Sequence, residues 1–213
     1  MTTEIELKYQ LLANNDDSNT VAADITAMLK ANNLTFETNQ SQLGNDYYES
    51  DDLVLRKMDF GLRIRTKGQT YEQTMKTAGK VVGCLHQRPE YNIPLTKKQL
   101  DLSLFSQDIW PENTDVKALE KDLKVIFTTN FHRQTWLIHQ DNSVIELALD
   151  KGEICTQAGE PTLDINELEI ELVSGEEQAL FVLAKKLMAV VAIEPGKLSK
   201  AARGYSLYHN KNK

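Results

Sequence analysis

The sequence is poor in the two residue types that build zinc sites and disulfide frameworks. It contains two cysteines and four histidines in 213 residues. Cys84 and Cys155 lie far apart in the chain, and neither they nor the histidines show the close, repeated spacing of metal ligands. We therefore interpret the cysteines as ordinary reduced thiols and expect neither a zinc site nor a disulfide.

Positive charge is also in short supply. The chain has 24 Lys and Arg residues against 31 Asp and Glu residues, which gives a formal net charge of −7 and a pI near 5.2. Surfaces that bind nucleic acids or anionic membranes need an excess of basic residues, so we expect neither partner. Any anion that this protein binds must meet a local cluster of Lys and Arg side chains.

The sequence has no long apolar run and no recognisable targeting segment. No stretch approaches the roughly eighteen apolar residues of a membrane span, and no basic and apolar leader follows Met1. We expect a cytoplasmic protein, and the sequence leaves its oligomeric state open. Because no internal repeat or low-complexity linker is present, we expect one domain over residues 1–208 and a polar tail over residues 209–213.

What the sequence does contain is a repeated alternation of charged and aliphatic residues. In the first extended segment, Glu4, Glu6 and Lys8 share one face, and Ile5 and Leu7 share the other. The same pattern recurs at Arg63 and Arg65, Glu72 and Lys76, Arg88 and Glu90, Arg133, Glu146 and Asp150, and Glu167, Glu169 and Glu171. At least five predicted strands therefore have one charged face and one apolar face.

Helices are predicted between these strands. The spacing of apolar residues indicates a first helix from Ser18 or Asn19 to about Asn32 and further helices over residues 52–58, 96–107, 114–127 and about 176–191. We expect their apolar positions to form the core rather than a site.

The clustering of like charges decides between two interpretations of the charged faces. A solvent-exposed face would be charged as well, but like charges along a strand repel each other, and solvent gives no reason for the row Glu167, Glu169 and Glu171. If the sheet closes, the charged faces line a lumen and the apolar faces point outward under helices. We therefore predict an α+β, mainly β fold, an antiparallel β-barrel with a charged lumen and helices packed outside.

Such a lumen suits a multiply charged anion that binds together with a divalent cation. Arg and Lys attract phosphate oxygens, and the planar Arg guanidinium can bind two of them at once. The glutamates would repel the same anion by roughly 4 kcal/mol for a pair of unit charges about 4 Å apart. A divalent metal between carboxylate and phosphate removes this repulsion, and oxygen ligands favour Mg²⁺ or Mn²⁺ over zinc. The residues thus predict a metal-dependent phosphoanhydride site.

A series of motifs spans nearly the whole chain: Glu4-x-Glu6-x-Lys8, Tyr47 to Ser50, Gly61 to Arg65, Thr74 to Lys76, Arg133, Glu146 to Asp150, Glu167 to Glu171 and Ser199 to Gly204. In this order they resemble the CYTH superfamily, also called triphosphate tunnel metalloenzymes. Leu85 to Asn92 and Lys200 to Tyr205 most resemble the bacterial inorganic triphosphatases. The resemblance implies an eight-stranded antiparallel β-tunnel.

The resemblance also implies an activity and residue roles. The activity is hydrolysis of inorganic triphosphate to pyrophosphate and phosphate by in-line attack of water. The implied substrate ligands are Lys8, Arg63, Arg65, Lys76, Arg133, Lys200 and Arg203. The implied ligands of Mg²⁺ or Mn²⁺ are Glu4, Glu6, Glu146, Asp150, Glu169 and Glu171. Glu4, Glu6, Lys8 and Lys76 are the implied catalytic residues, and Glu90 and Glu167 are further acidic candidates.

Two features depart from the family pattern. Asn92 stands where many tunnel enzymes carry another acid. Bacterial triphosphatases of this group usually have a C-terminal, helical and histidine-rich CHAD domain, which this sequence does not reach. A role in polyphosphate binding would gain support from that domain.

Three other functions stay open on the sequence alone. They are a class IV-type adenylyl cyclase, a thiamine triphosphatase and a catalytically idle module that binds polyphosphate. Cyclisation would need a base-recognition pocket, which the sequence does not identify. The glutamate rows favour chemistry over simple binding, because a binder of polyphosphate would gain from their loss.

Overall fold

The computed structural model describes residues 2–12, 18–156, 159 and 161–211. Its strands are β1 (Thr2–Leu11), β2 (Thr35–Glu49), β3 (Gly61–Lys67), β4 (Thr70–Lys76), β5 (Lys80–Val82), β6 (Leu85–Leu95), β7 (Lys124–Gln140), β8 (Ser143–Thr156), β9 (Thr162–Ser174) and β10 (Ile193–Pro195). Its helices are α1 (Ser18–Ala31), α2 (Val54–Lys57), α3 (Val116–Asp122), α4 (Gln178–Met188) and α5 (Lys200–Lys211). Within the described ranges, no helix is both long and apolar enough to cross a membrane.

Eight of the strands close into a barrel. The sheet follows the order β1-β9-β8-β7-β2-β3-β4-β6, and the first half of β6 pairs with β1 to complete the ring. The short strands β5 and β10 pair with β6 and β1 and lie outside the ring. Every pairing around the ring is antiparallel, which confirms the predicted eight-stranded antiparallel barrel.

The apolar faces of the strands point outward, as the alternation predicts. One outer core lies between α1, α4 and the strands β1, β7, β8 and β9, and its fully buried members include Ile25, Leu147, Ile170 and Leu183. A second outer core packs α2, α3 and two single 3₁₀ turns against β3, β4 and β6. Leu62 of β3 thus packs in this outer core, while Arg63 and Arg65 face the lumen.

A third apolar cluster fills one end of the barrel from the inside. Phe127 and Phe131 lie on the same face of β7 as Arg133, and Ile165 lies on the same face of β9 as Glu167. Helix α5 covers these side chains with Leu207, Tyr205 and Ala201. The charged lumen is therefore confirmed. At one end it is bounded by the apolar side chains of Phe127, Phe131 and Ile165, here called the apolar floor, and helix α5 covers this end of the barrel.

Two predicted helices differ from the structure. Residues 96–107 contain only the 3₁₀ turns Leu102–Leu104 and Gln107–Ile109, because Asp101 accepts hydrogen bonds from the backbone N–H (3.0 Å) and hydroxyl (2.5 Å) of Ser103, which compete with an α-helix. Residues 114–127 are helical only in α3, and the chain from Lys124 onward belongs to β7. That stretch is rich in β-branched and aromatic residues and pairs with the end of β2.

Candidate active site

The lumen encloses a cavity of about 210 Å³ that is lined mainly by charged side chains. Seven of them are basic, namely Lys8, Arg63, Arg65, Lys76, Arg88, Arg133 and Lys200. Six are acidic, namely Glu4, Glu72, Glu90, Glu146, Glu169 and Glu171. The cavity lining thus carries a formal charge of +1 inside a chain of −7, which provides the local basic cluster that an anion requires.

The structure brings the sequence-predicted site residues together. Ten of the thirteen line the cavity, and Glu6, Asp150 and Arg203 are the exceptions. Glu6 and Asp150 lie behind the lining, with 1% and 0% of their surface exposed. Arg203 binds Glu167 at 3.1 Å and also donates to the carbonyl oxygen of Asp164.

Strand register sets up one tight network of opposite charges. Lys8 lies directly across from Glu169, and its Nζ is 2.5 Å from Glu169 Oε1 and 2.7 Å from Glu6 Oε2. Arg133 lies directly across from Asp150 and binds it with both Nε and Nη2, at 2.7 and 2.6 Å. From α5, Lys200 Nζ reaches Asp150 at 2.7 Å and Glu169 at 3.1 Å.

This network contains a compact group of three carboxylates that is already neutralised. Oxygens of Asp150, Glu167 and Glu169 all lie within 4.8 Å of one another, a spacing that could hold a metal ion. Burial would raise the pKa of Asp150 and of Glu169, but the neighbouring Arg133 and Lys200 outweigh it and lower both. Lys200 already forms ion pairs with all three carboxylates. The short distances between their oxygens therefore do not by themselves identify this group as the metal site.

A second group of carboxylates is only partly neutralised. Glu6 lies directly across from Glu171, and Glu4 is on the same face of β1. Burial, and then repulsion from Glu4 and Glu6, raises the pKa of Glu171 to about 7. Glu6 Oε1 is buried and has no hydrogen-bond partner within the described part of the chain. Because Glu171 forms no ion pair among the described residues and Glu6 keeps one oxygen without a partner there, this oxygen-only group fits a hard divalent cation better than the neutralised group does.

Lys76 and Arg88 hold Glu4 at the edge of this second group. Lys76 Nζ is 2.5 Å from Glu4 Oε1 and 3.5 Å from Glu90, and Arg88 Nε is 3.4 Å from Glu4 Oε2. Although burial raises the pKa of Glu4, these two cations and Lys8 lower it to about 2. Glu4 is therefore ionised at any physiological pH, whereas Glu171 titrates near neutrality.

The opposite wall of the cavity has an excess of positive charge. Arg65 Nε donates to Asn45 Oδ1 at 2.9 Å, but the guanidinium forms no ion pair with any carboxylate of the described residues. Burial and the neighbouring Arg63 and Arg133 lower the pKa of Arg65 to about 10. Arg63 contacts Glu90 only at 3.5 Å, and its buried Nε has no partner among the described atoms. Two neighbouring guanidiniums, one with no ion pair among the described residues and one with only a long contact to Glu90, indicate an anion site.

Sequence reasoning gave no role to Tyr47, whose ring stacks on Phe127 at 4.5 Å between ring centroids. Burial raises the pKa of its phenol, but Arg63, Arg65 and Lys200 outweigh it, so the pKa is lowered. The alternation of β2 could have indicated this position. Tyr47 is two residues from Asn45 and from Glu49, so all three side chains share the inner face of the strand.

Asn92, the departure from the family pattern, also lines the cavity. Its Oδ1 accepts a hydrogen bond from the Thr74 hydroxyl at 2.7 Å. The amide is thus held by a neighbouring strand and adds no negative charge to the lumen.

Comparisons with known proteins agree with this geometry. The CYTH domain model matches residues 2–205. An inorganic triphosphatase of Haemophilus influenzae is 42% identical over 165 residues, which cover 78% of this chain and 46% of that protein. The chain thus matches less than half the length of this relative.

Solved structures share the fold at low sequence identity. A putative adenylyl cyclase from Hippeastrum with a dominant triphosphatase activity superposes with a TM-score of 0.65 at 16% identity, over 95% of each chain. PH1819 of Pyrococcus horikoshii gives a TM-score of 0.56 at 16% identity, over 99% of each chain. With the family model matching almost from end to end and the barrel and lumen in place, the chain belongs to the CYTH domain family.

Proposed function

We propose that the chain hydrolyses inorganic triphosphate to pyrophosphate and phosphate in the lumen of the barrel, with a divalent metal. The observation that supports this most is the presence of two incompletely neutralised walls: Arg65 on one side and Glu171 on the other form no ion pair among the described residues, and Glu6 Oε1 behind Glu171 has no hydrogen-bond partner there. A triphosphate bound together with a divalent cation satisfies both walls at once. The similarity to the Haemophilus influenzae protein named inorganic triphosphatase supports the same choice.

The basic residues would bind and orient the substrate. Arg63, Arg65 and Arg133 present guanidiniums from adjacent walls, and Lys8 and Lys200 add ammonium groups from β1 and α5. Lys76 would neutralise charge at the Glu4 end of the cavity, and Arg203 would act at a distance by fixing Glu167. Positioning and charge neutralisation are the main sources of rate enhancement in phosphoryl transfer.

The incompletely neutralised carboxylates fit the metal. Glu4, Glu6 and Glu171 would hold Mg²⁺ or Mn²⁺, with Glu146 nearby, while Asp150 and Glu169 would support the site through Arg133, Lys8 and Lys200. Bound there, the metal would neutralise phosphate charge and polarise water. Glu4, ionised and held by Lys76, would orient the water for in-line attack on a terminal phosphorus.

Adenylyl cyclase, thiamine triphosphatase and polyphosphate-binding activities make different predictions for one assay. Phosphate release would be measured from inorganic triphosphate, ATP and thiamine triphosphate with Mg²⁺, Mn²⁺ or EDTA, with cyclic AMP assayed in parallel. The proposal predicts metal-dependent release that is fastest from inorganic triphosphate and yields no cyclic product. Cyclic AMP as the main product, or silence on every substrate, would contradict it.

A further inference from the structure

Helix α5 delivers one lumen cation, and its fit to the barrel is unusually close. Lys200 lies in its first turn and contacts Asp150 and Glu169. One turn later, Gly204 lies directly on the Phe127 ring, where an added Cβ would come within 2.2 Å of a ring carbon. A glycine inside a helix is unfavourable relative to alanine, so this close approach explains its presence.

The next residue, Tyr205, ties α5 to a buried carboxylate on the inner face of β2. Glu49 is fully buried and accepts backbone N–H bonds from Ser50, Leu55 and Arg56 at 2.9, 3.0 and 2.8 Å. Its Oε2 also accepts a hydrogen bond from the Tyr205 hydroxyl at 2.9 Å. The first three donors belong to the segment that follows β2, so Tyr205 is the donor that links Glu49 to α5.

Aromatic contacts hold the Tyr205 ring in the same place. The ring packs edge-on against Phe127, with centroids 5.5 Å apart, and the Arg56 guanidinium lies 5.4 Å from the Tyr205 ring centroid. Burial, and then Glu49, raises the pKa of the Tyr205 hydroxyl, so it stays protonated and donates. Neither Glu49 nor Tyr205 lines the cavity.

We propose that the Tyr205–Glu49 hydrogen bond is a positioning contact that sets how far Lys200 reaches into the lumen. Tyr205 and Lys200 are joined by little more than one helical turn, a rigid spacer of about 7.5 Å at 1.5 Å per residue. A shift of α5 at Tyr205 therefore moves Lys200 away from Asp150 and Glu169. The effect on catalysis rests on the proposed triphosphatase function.

The variant Tyr205→Phe removes the hydroxyl and keeps the ring. We expect it to raise KM for inorganic triphosphate about tenfold at 20 °C, the size expected for losing one hydrogen bond to a charged acceptor. The matched control is Ser206→Ala, because Ser206 is exposed on α5 and its hydroxyl donates to the Ala202 carbonyl of the same helix. An unchanged KM in Tyr205→Phe would overturn the proposal.

A double-mutant cycle separates positioning from general destabilisation. If Tyr205 acts through Lys200, then Tyr205→Phe changes KM by less than about twofold in a Lys200→Ala background. Equal effects of Tyr205→Phe in both backgrounds would show that it acts independently of Lys200, which contradicts the proposal.

Hydrogen exchange of the wild-type protein and its variants tests the contact without any turnover. We expect faster amide exchange in α5 of Tyr205→Phe, with unchanged exchange in β7 and β8. In the second variant, Gly204→Ala, we expect faster exchange in α5 and in β7 around Phe127, with unchanged exchange in β8. Unchanged exchange in α5 would refute the positioning contact. A wild-type protein that releases no phosphate from inorganic triphosphate would refute the proposed function instead, and the exchange experiment would still decide the role of Tyr205.

Discussion

At the scale of single residues, the cavity contains two kinds of charged side chain: those in ion pairs and those without an ion-pair partner among the described residues. Arg133 and Asp150 satisfy each other with two hydrogen bonds, whereas Arg65 faces the lumen beside two other guanidiniums. Like charges held close together repel each other and destabilise the folded protein. A ligand of opposite charge removes this repulsion, and the free energy of its relief strengthens binding.

Arg65→Ala tests this distinction. We expect KM for inorganic triphosphate to rise at least about tenfold, because charge-assisted hydrogen bonds to phosphate contribute roughly 1.5–3 kcal/mol. The melting temperature of the metal-free protein should change little, since relief of the repulsion from Arg63 and Arg133 offsets the lost hydrogen bond to Asn45 Oδ1. Lys98→Ala, which breaks an external pair with Asp46, is the control for removing one cation. An unfolded Arg65→Ala protein would make Arg65 structural.

Glu169 and Glu171 share the inner face of β9 but should respond differently to neutralisation. Glu169→Gln leaves Lys8, Arg133 and Lys200 without a shared counter-charge, so we expect a clear loss of thermal stability, consistent with about 3–5 kcal/mol for breaking a buried pair. Glu171→Gln removes repulsion from Glu4 and Glu6, so we expect unchanged or higher stability and a larger Mg²⁺ requirement. Thermal melts and Mg²⁺ titrations of both variants would check this, and identical behaviour would contradict it.

The pKa of Glu171 gives a pH dependence with a defined sign. Because the folded-state pKa of about 7 lies above the ordinary glutamate value of 4.5, its contribution to stability is full below pH 4.5 and is lost as the pH rises through 7. Protons and the metal compete for the same carboxylate, so stabilisation by Mg²⁺ should grow as the pH rises from 5.5 to 8.5. Melting temperatures with and without Mg²⁺ would measure this. The growth should flatten in Glu171→Gln, and an equally steep growth there would exclude Glu171 as its source.

Which residues face the lumen could be predicted from the sequence, but which of them are neutralised could not. The period of two places Lys8, Arg63, Arg65 and Glu171 on inner faces without further information. Neutralisation depends on cross-strand register, such as Arg133 opposite Asp150, and on Lys200 arriving from α5. Both are long-range properties that a local pattern does not contain.

At the scale of elements, stability and chemistry lie on opposite faces of the same strands. Leu183 of α4 is fully buried in the outer core, while Glu169 and Glu171 face inward from the strand that α4 covers. We expect Leu183→Ala to cost about 2–5 kcal/mol of unfolding free energy. KM for inorganic triphosphate should stay unchanged well below the melting temperature. Denaturant unfolding and steady-state kinetics would test this, and a large rise in KM would show that the two faces are coupled.

The elements that pattern reasoning missed are those fixed by tertiary contacts. Residues 35–42 of β2 are mostly polar and exposed, and they become strand because they pair with β7. Residues 96–107 have helical spacing but are held by contacts such as Gln73 Nε2 to the Asp101 carbonyl at 2.7 Å. The apolar floor was missed because Phe127 fell within the predicted helix 114–127 and Phe131 was given no role, although both share a face with Arg133.

At the scale of the whole molecule, the fold inverts the usual arrangement of a small soluble barrel. Its packed cores lie between the strands and the outer helices, and its interior holds a cavity of about 210 Å³ lined with charges of both signs. Helix α5 closes one end over the apolar floor. The arrangement suits a short, highly charged anion that brings its own cation.

We propose that the wall with Arg65 and the wall with Glu171 act together on triphosphate and a divalent metal. The most direct measurement is phosphate release from inorganic triphosphate by the wild-type protein across a Mg²⁺ titration, with an EDTA baseline. The account predicts no release in EDTA and a saturable rise with Mg²⁺. Equal release in EDTA, or no release at any Mg²⁺ concentration, would contradict it.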